Sequence, residues 1–293
     1  MRIHWIATLI LLAALSKGEA AQESVTTIAR RARGRIGVAC SLPDSKLDCN
    51  VNAHAHLPMQ SVYKLPIAMA TLDAVGHGDL AFDRPLRFLP SDNIPTLQYA
   101  PLRDKYPNAN VDVPLEELLR LAVADSDGIA SDILVRALGG PDAVNRYVRG
   151  LGITGIEIRD TEKSMAAEHQ LQYRNYAEPA AMVKLLRRLS DNSPLNPENT
   201  QRLLTWMTES GTGPHRLKGM LPAGTPVAHK TGTFYTERGI TAATNDVGLI
   251  TLPDGRKLAI AVFISDSPDS ESVREELIAH IAAAAYKQAT KPR

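Results

Sequence analysis

Strand-like runs stand at both ends of this chain, and a long helical block separates them. Two lie early, Arg35 to Cys40 and Lys46 to Ala53. Three lie late: Pro226 to Tyr235, Ala243 to Leu252 and Lys257 to Asp266. The turn Pro253-Asp254-Gly255 joins the last two as a hairpin. Strands must pair their backbone groups, so runs this far apart in sequence most simply join one sheet. The expected class is α/β, more narrowly α+β: an antiparallel five-stranded sheet flanked by terminal helices, with an inserted all-helical lobe. Residues 21–58 and 215–293 make the α/β lobe, and residues 59–214 the helical one. Clefts between such lobes are where ligands bind.

Within the block, the apolar spacing predicts a central helix from Ser61 to a glycine stop at Gly76-His77-Gly78. Further helices are expected at Leu115 to Ala124, Ser131 to Leu138, Pro141 to Arg149, Glu178 to Leu189 and Pro197 to Glu209, with a short one after Gly213-Pro214. Ile153 to Arg159 is strand-like, and the proline-rich stretch 83 to 110 is expected as loops. The closing helix, Ser272 to Ala289, carries an alanine-rich face suited to a sheet.

The 33 basic and 32 acidic side chains leave a net charge of +1, so no global field draws the chain to nucleic acid or anionic membrane. Aromatics at 5% also argue against a base-stacking surface. Residues 1–20 read as a signal peptide: Arg2, an apolar run from Trp5 to Leu15, then Gly18-Glu19-Ala20. Cleavage after Ala20, export and a periplasmic location are expected, with no membrane attachment once the leader is gone. Export permits a disulfide between Cys40 and Cys49. The alternative is two separately buried thiols, and strand register decides between them.

Four places carry candidate chemistry. Ser61-Val62-Tyr63-Lys64 heads the central helix and puts a serine and a lysine on one face, one turn apart. A serine hydroxyl becomes a nucleophile when a nearby base removes its proton. Ser126-Asp127-Gly128 lies between two expected helices and, alone, reads as a helix stop and a new N-cap. Lys230-Thr231-Gly232-Thr233 lies on a strand, where a glycine marks close approach of a ligand or another backbone. Glu162 sits in a polar loop and could activate water as a general base. His54 and His56 lack the neighbours of a metal site, so no metal and no cofactor is expected. His229 is read as structural.

In this order, the serine–lysine, Ser-Asp-Gly and Lys-Thr-Gly motifs resemble those of serine β-lactamases and penicillin-binding proteins. With Glu162 the set resembles class A β-lactamases. The finer resemblance is to their PER- and VEB-type branch, through Pro58-Met59-Gln60, Met165, Gln172-Tyr173-Arg174-Asn175-Tyr176, Gly213 to Gly219, Ala228 to Thr233 and Ala243-Thr244-Asn245-Asp246. The resemblance implies a β-lactam substrate and resistance to such antibiotics; a monomer is expected because nothing in the sequence marks an interface. It implies that Ser61 attacks the lactam carbonyl, with Lys64 or Glu162 accepting its proton. Ser126 would relay a proton to the departing nitrogen, and Glu162 would activate the water that ends the acyl-enzyme. The N–H groups of Ser61 and Thr233 would form the oxyanion hole. Lys230, Thr231 and Thr233 would hold the substrate carboxylate, with Arg216 adding positive charge. Two positions depart from the family. Gly128 stands where an Asn amide is usual, and Ala166 where an Asn helps hold the water, a task that Gln60 could take over. The D-alanyl-D-alanine peptidases and penicillin-sensing domains share the three motifs; Glu162 and the cleavable leader argue against each in turn.

Overall fold

The structure is a computed structural model that describes residues 23–95 and 99–291. The expected leader therefore lies outside the described residues. Four strands form the main sheet: β1 (Arg35–Ser41), β2 (Val227–Thr233), β3 (Thr244–Thr251) and β4 (Lys257–Ser265). All are antiparallel, in the order β1-β4-β3-β2. The first and last strands of the chain pair with each other, Ala39 opposite Ala261, and β1 and β2 form the two edges.

The expected fifth strand, Lys46 to Ala53, is reduced to one bridge between Val51 and Val38. Asn52 has φ +45°, which ends any extended run there. Cys49 is bonded to Cys40, with a Cα–Cα distance of 5.9 Å, and the pair staples this irregular stretch to β1.

Alternation along β4 shows how the sheet is covered. Leu258, Ile260, Val262 and Ile264 face one core with Ile278, Ile281 and Ala285. Ala259, Ala261 and Phe263 face another with Met182, Leu185 and Leu186. The first core is closed by α1 (Val25–Ala29) and the C-terminal helix, the second by the helical block. That block contains α2 (Lys64–His77), α3 (Leu115–Val123), α4 (Gly128–Leu138), α5 (Pro141–Gly150), α6 (Glu162–Ala167), α7 (Pro179–Asp191) and α8 (Pro197–Glu209). The C-terminal helix, α9, spans Glu271–Ala289.

Every residue of α2 from Lys64 to Leu72 is buried, as suits a helix that is apolar all round. It ends on Gly78 at φ +85°. The stretch 83 to 110 is more ordered than expected: Pro85–Phe88 pairs with Val111–Pro114, and Pro101–Lys105 makes a short helix. The strand expected over Ile153 to Arg159 shortens to Ile156–Glu157, and Gly213-Pro214 opens only a series of turns.

Candidate active site

Ser61 sits in a 3₁₀ turn, Gln60–Tyr63, that runs directly into α2. A 3₁₀ turn eclipses residues three apart, so Lys64 stands over Ser61. Its Nζ donates to Ser61 Oγ at 2.7 Å and also to the Glu162 carboxylate. Lys64 is buried, and Glu162 keeps 14% of its side-chain surface. One lysine thus joins the candidate nucleophile to the candidate base.

Two residues at this site hold positive φ without being glycine: Gln60 at +46° and Ser126 at +61°. Such backbones cost about 1–3 kcal/mol each and persist where the surroundings fix them. Gln60 is fixed by its amide, which donates to Gln172 Oε1 at 2.7 Å. Ser126 is fixed by Asp127, whose carboxylate accepts from Ala130 N at 2.7 Å and from Leu102 N at 2.6 Å. Asp127 therefore caps α4 and ties it to the short helix Pro101–Lys105. Burial raises its carboxyl above the usual range, and those N–H donors act against the rise.

Lys230 comes in from β2, fully buried, and donates to Ser126 Oγ at 2.9 Å. Burial, then the charge of Lys64, pushes its ammonium well below the ordinary lysine range. Beyond it, Thr231 Oγ1 lies 2.7 Å from Thr212 Oγ1. Phe234 N donates to Ala243 O, so alternation turns the N–H of Thr233 away from β3 and along the free edge. Gly232 lets that edge touch the Ser61 turn: a Cβ there would lie 2.3 Å from Met59 O. Asn245 on β3 closes the joint, donating to Pro58 O at 2.8 Å and Met59 O at 3.1 Å.

These groups line a cleft of about 460 Å³ that takes in Gln60, Ser61, Lys64, Ser126, Gly128, Glu162, Thr231 and Thr233. Arg216 is absent from its wall. The guanidinium is buried behind β2, paired with Glu275 at 2.9 Å, and donates to Thr233 Oγ1 at 2.8 Å and Asn245 O at 3.0 Å. Among the side chains of the cleft wall, it bonds the Thr233 hydroxyl. From there its positive charge acts on Lys230, alongside that of Lys64.

A serine under a bound lysine, a second serine–lysine pair and an outward-facing strand edge now share one cleft. The chain matches the sequence model described as the Beta-lactamase enzyme family over residues 20–289. The extended-spectrum β-lactamase PER-1 of Pseudomonas aeruginosa is 38% identical over 266 residues, covering 91% of this chain and 86% of that one. The chain belongs to the class A serine β-lactamases. VEB-1, also from Pseudomonas aeruginosa, is 38% identical over 260 residues, with 88% of this chain and 86% of that one covered. The crystal structure of the TLA-1 extended-spectrum β-lactamase superposes with a TM-score of 0.87 at 41% identity, covering 91% of this chain and 97% of that one.

In this β-lactamase Gly128 opens α4, where an added Cβ would meet Ile94 Cδ1 at 3.0 Å and Glu162 Cγ at 3.2 Å. Ile94 and Glu162 thus crowd the place from which the usual Asn would project. Ala166 leaves Gln60 as a side-chain amide on the cleft wall near Glu162. Ile94, Tyr99, Met165, Thr212, Phe234 and Tyr235 also line the cleft. Of these, only Met165 stood out in the sequence. His54 and His56 both reach Glu178, at 2.8 Å and 3.5 Å, and His56 stacks on Tyr176. Among the described residues no group of His, Cys, Asp or Glu is arranged to hold a metal ion, and no helix is long and apolar enough to cross a membrane. His229 is buried against Asp246 at 2.9 Å, behind the strand rather than in the cleft.

Proposed function

We propose that this enzyme opens the lactam ring of penicillins and cephalosporins through an acyl-enzyme on Ser61, and so protects its host from them. The observation that carries this reading is the single lysine, Lys64, bonded to both Ser61 and Glu162. Ser61 Oγ adds to the lactam carbonyl while its proton passes to the Lys64–Glu162 pair. The oxyanion is met by the N–H groups of Ser61 and Thr233, donors worth roughly 100-fold or more each in such reactions. The C–N bond then breaks, and the proton taken from Ser61 passes from the Lys64–Glu162 pair through Ser126 to the nitrogen, with Lys230 donating a hydrogen bond to Ser126 Oγ at 2.9 Å. Glu162 removes a proton from water, the water oxygen attacks the ester, and Ser61 regains its hydrogen as product leaves. The substrate carboxylate binds along Thr231 and Thr233, and Arg216 orients the Thr233 hydroxyl.

The cleft is formed between the sheet-bearing unit, 21–58 with 215–293, and the helical unit, 59–214. Export after cleavage at Ala20 would place it where β-lactams arrive. Glu162→Ala should let a covalent adduct of one substrate mass accumulate on Ser61, seen by intact mass during hydrolysis of a chromogenic cephalosporin. A Glu162→Ala protein that turns over freely with no adduct would remove Glu162 from deacylation. Retained hydrolysis by Ser61→Ala would remove the nucleophile.

A further inference from the structure

The last two turns of α7 carry three cations, Lys184, Arg187 and Arg188. They line a groove of about 510 Å³ that the reaction above does not use. Ser41 at the end of β1 and Ile153 in the turn after α5 stand on its other sides. The groove is remote from the cleft. Ser41 pairs with Ala259, which stands level with Leu249 and Ala228. That level is about 17 Å along β2 from Thr233, and β4 and β3 lie between β1 and β2 as well. Among the described residues, none lines both spaces.

Two of the cations have an ordinary explanation. Lys184 and Arg188 are exposed, and bases near a helix C-terminus complement its dipole. Arg187 does not fit that account. Its side chain keeps only 14% of its surface. Its Nη2 donates to Ser190 Oγ at 3.1 Å and lies 3.3 Å from Asp191 Oδ1. Among the described residues, its Nε and Nη1 find no acceptor, although both are buried. Buried N–H groups nearly always have a partner, so these two call for one. Asp191 does not fill the need. Its carboxylate is half-exposed, and 3.3 Å is long for a charge-assisted bond.

We propose that this groove binds a small phosphomonoester, its phosphate held by Arg187, with Lys184 and Arg188 adding charge at the rim. A guanidinium presents its N–H donors in a planar fork that matches two phosphate oxygens. Binding turns Arg187 outward, and its contacts to Ser190 and Asp191 give way to a bidentate one. Side-chain rotations of this kind are common at binding sites. Among the described residues of the wall, Asp191 is the one carboxylate against three cations, and a phosphomonoester near neutral pH carries close to two negative charges. The volume lies in the range of small-molecule sites, so there is room for an organic body behind the phosphate. Ile153 and Val183, both buried, give that body an apolar wall.

The test is titration calorimetry of the enzyme with phenyl phosphate and, separately, inorganic phosphate, at about pH 7.5 and fixed ionic strength. Tm and cephalosporin hydrolysis are measured at the same ligand concentrations. Phenyl phosphate should fill one saturable site and bind more tightly than inorganic phosphate. At ten times its Kd it should raise Tm by about 3–5 °C. Arg187→Gln and the double variant Lys184→Gln/Arg188→Gln should each weaken binding about 10-fold or more. The KM for cephalosporin should stay the same with the site full, and the double variant should hydrolyse like wild type. Should Arg187→Gln not fold, the double variant decides, since both its residues are exposed. No saturable binding by wild type, or binding that survives in the double variant, would overturn the proposal. Competition with the cephalosporin would place the ligand in the cleft and overturn it equally. Inorganic phosphate that binds as tightly as the ester would overturn the choice of a monoester.

Discussion

Gly232→Ala tests whether the oxyanion hole is set by the contact between β2 and the Ser61 turn. The added methyl would lie 2.3 Å from Met59 O and 3.2 Å from both Val62 N and Val62 Cγ2. A carbon–oxygen contact is comfortable near ~3.3 Å, so the two backbones must part by about 1 Å. The carbonyl of Met59 cannot easily yield, because it accepts from Asn245 Nδ2 at 3.1 Å while Met59 N donates to Asn175 O at 2.9 Å. The movement falls on the edge strand, two bonds from Thr233 N. Losing one oxyanion donor costs about 2.7–4 kcal/mol at the transition state, or roughly 100- to 1,000-fold in rate. Overpacking adds about 1–3 kcal/mol of lost stability. Stopped-flow acylation of the folded variant, with Tm measured alongside, reads both. Acylation within about threefold of wild type at an unchanged Tm would show that this contact does not set the hole.

Two further substitutions probe the supports. Arg216→Ala strands the Glu275 carboxylate, whose side chain is only 12% exposed, so stability should fall by about 3–5 kcal/mol. Its KM should rise as the Thr233 hydroxyl loses its donor, and an unchanged KM in a folded variant would detach Arg216 from substrate binding. Removing the disulfide with Cys40→Ala and Cys49→Ala opens a loop of sequence separation 9, which should cost about 2–3 kcal/mol in chemical denaturation. Hydrolysis below the melting transition should be unaffected, since neither cysteine lines the cleft.

The late strands were readable because each alternates between two cores, and β4 does so without a break from Leu258 to Ile264. Lys46 to Ala53 alternates too, through Leu47, Cys49, Val51 and Ala53, but its strand bridge is the single one at Val51, and sequence does not show which strand has an edge to offer. The serine–lysine spacing survived the change from an α-helical to a 3₁₀ start, because both geometries bring i and i+3 together. The position of Arg216 behind β2 was not readable, because nothing local says on which side of an edge strand a long side chain passes. Asp132, whose carboxylate accepts from Glu162 N and Lys163 N, was invisible for a different reason. In sequence it is a helical aspartate between Ser131 and Ile133, and its partners lie 30 and 31 residues away on another element. Groups that act through backbone N–H leave no side-chain motif to find.

The pairing of the first strand with the last has a consequence for how the enzyme comes into being. Among the described residues, β1 has no neighbour in the main sheet other than β4, and β2 hangs on β3 alone. Ser61 and Lys64 are made early, but the strand edge that faces them is anchored only after residues up to Ser265 have joined the sheet. Pairings so distant in sequence carry a large loop-closure cost and form late. A chain still emerging from its point of synthesis or export thus has its nucleophile and its base but nowhere for an oxyanion to sit. Activity arrives near the end of folding, as the two ends of the polypeptide meet.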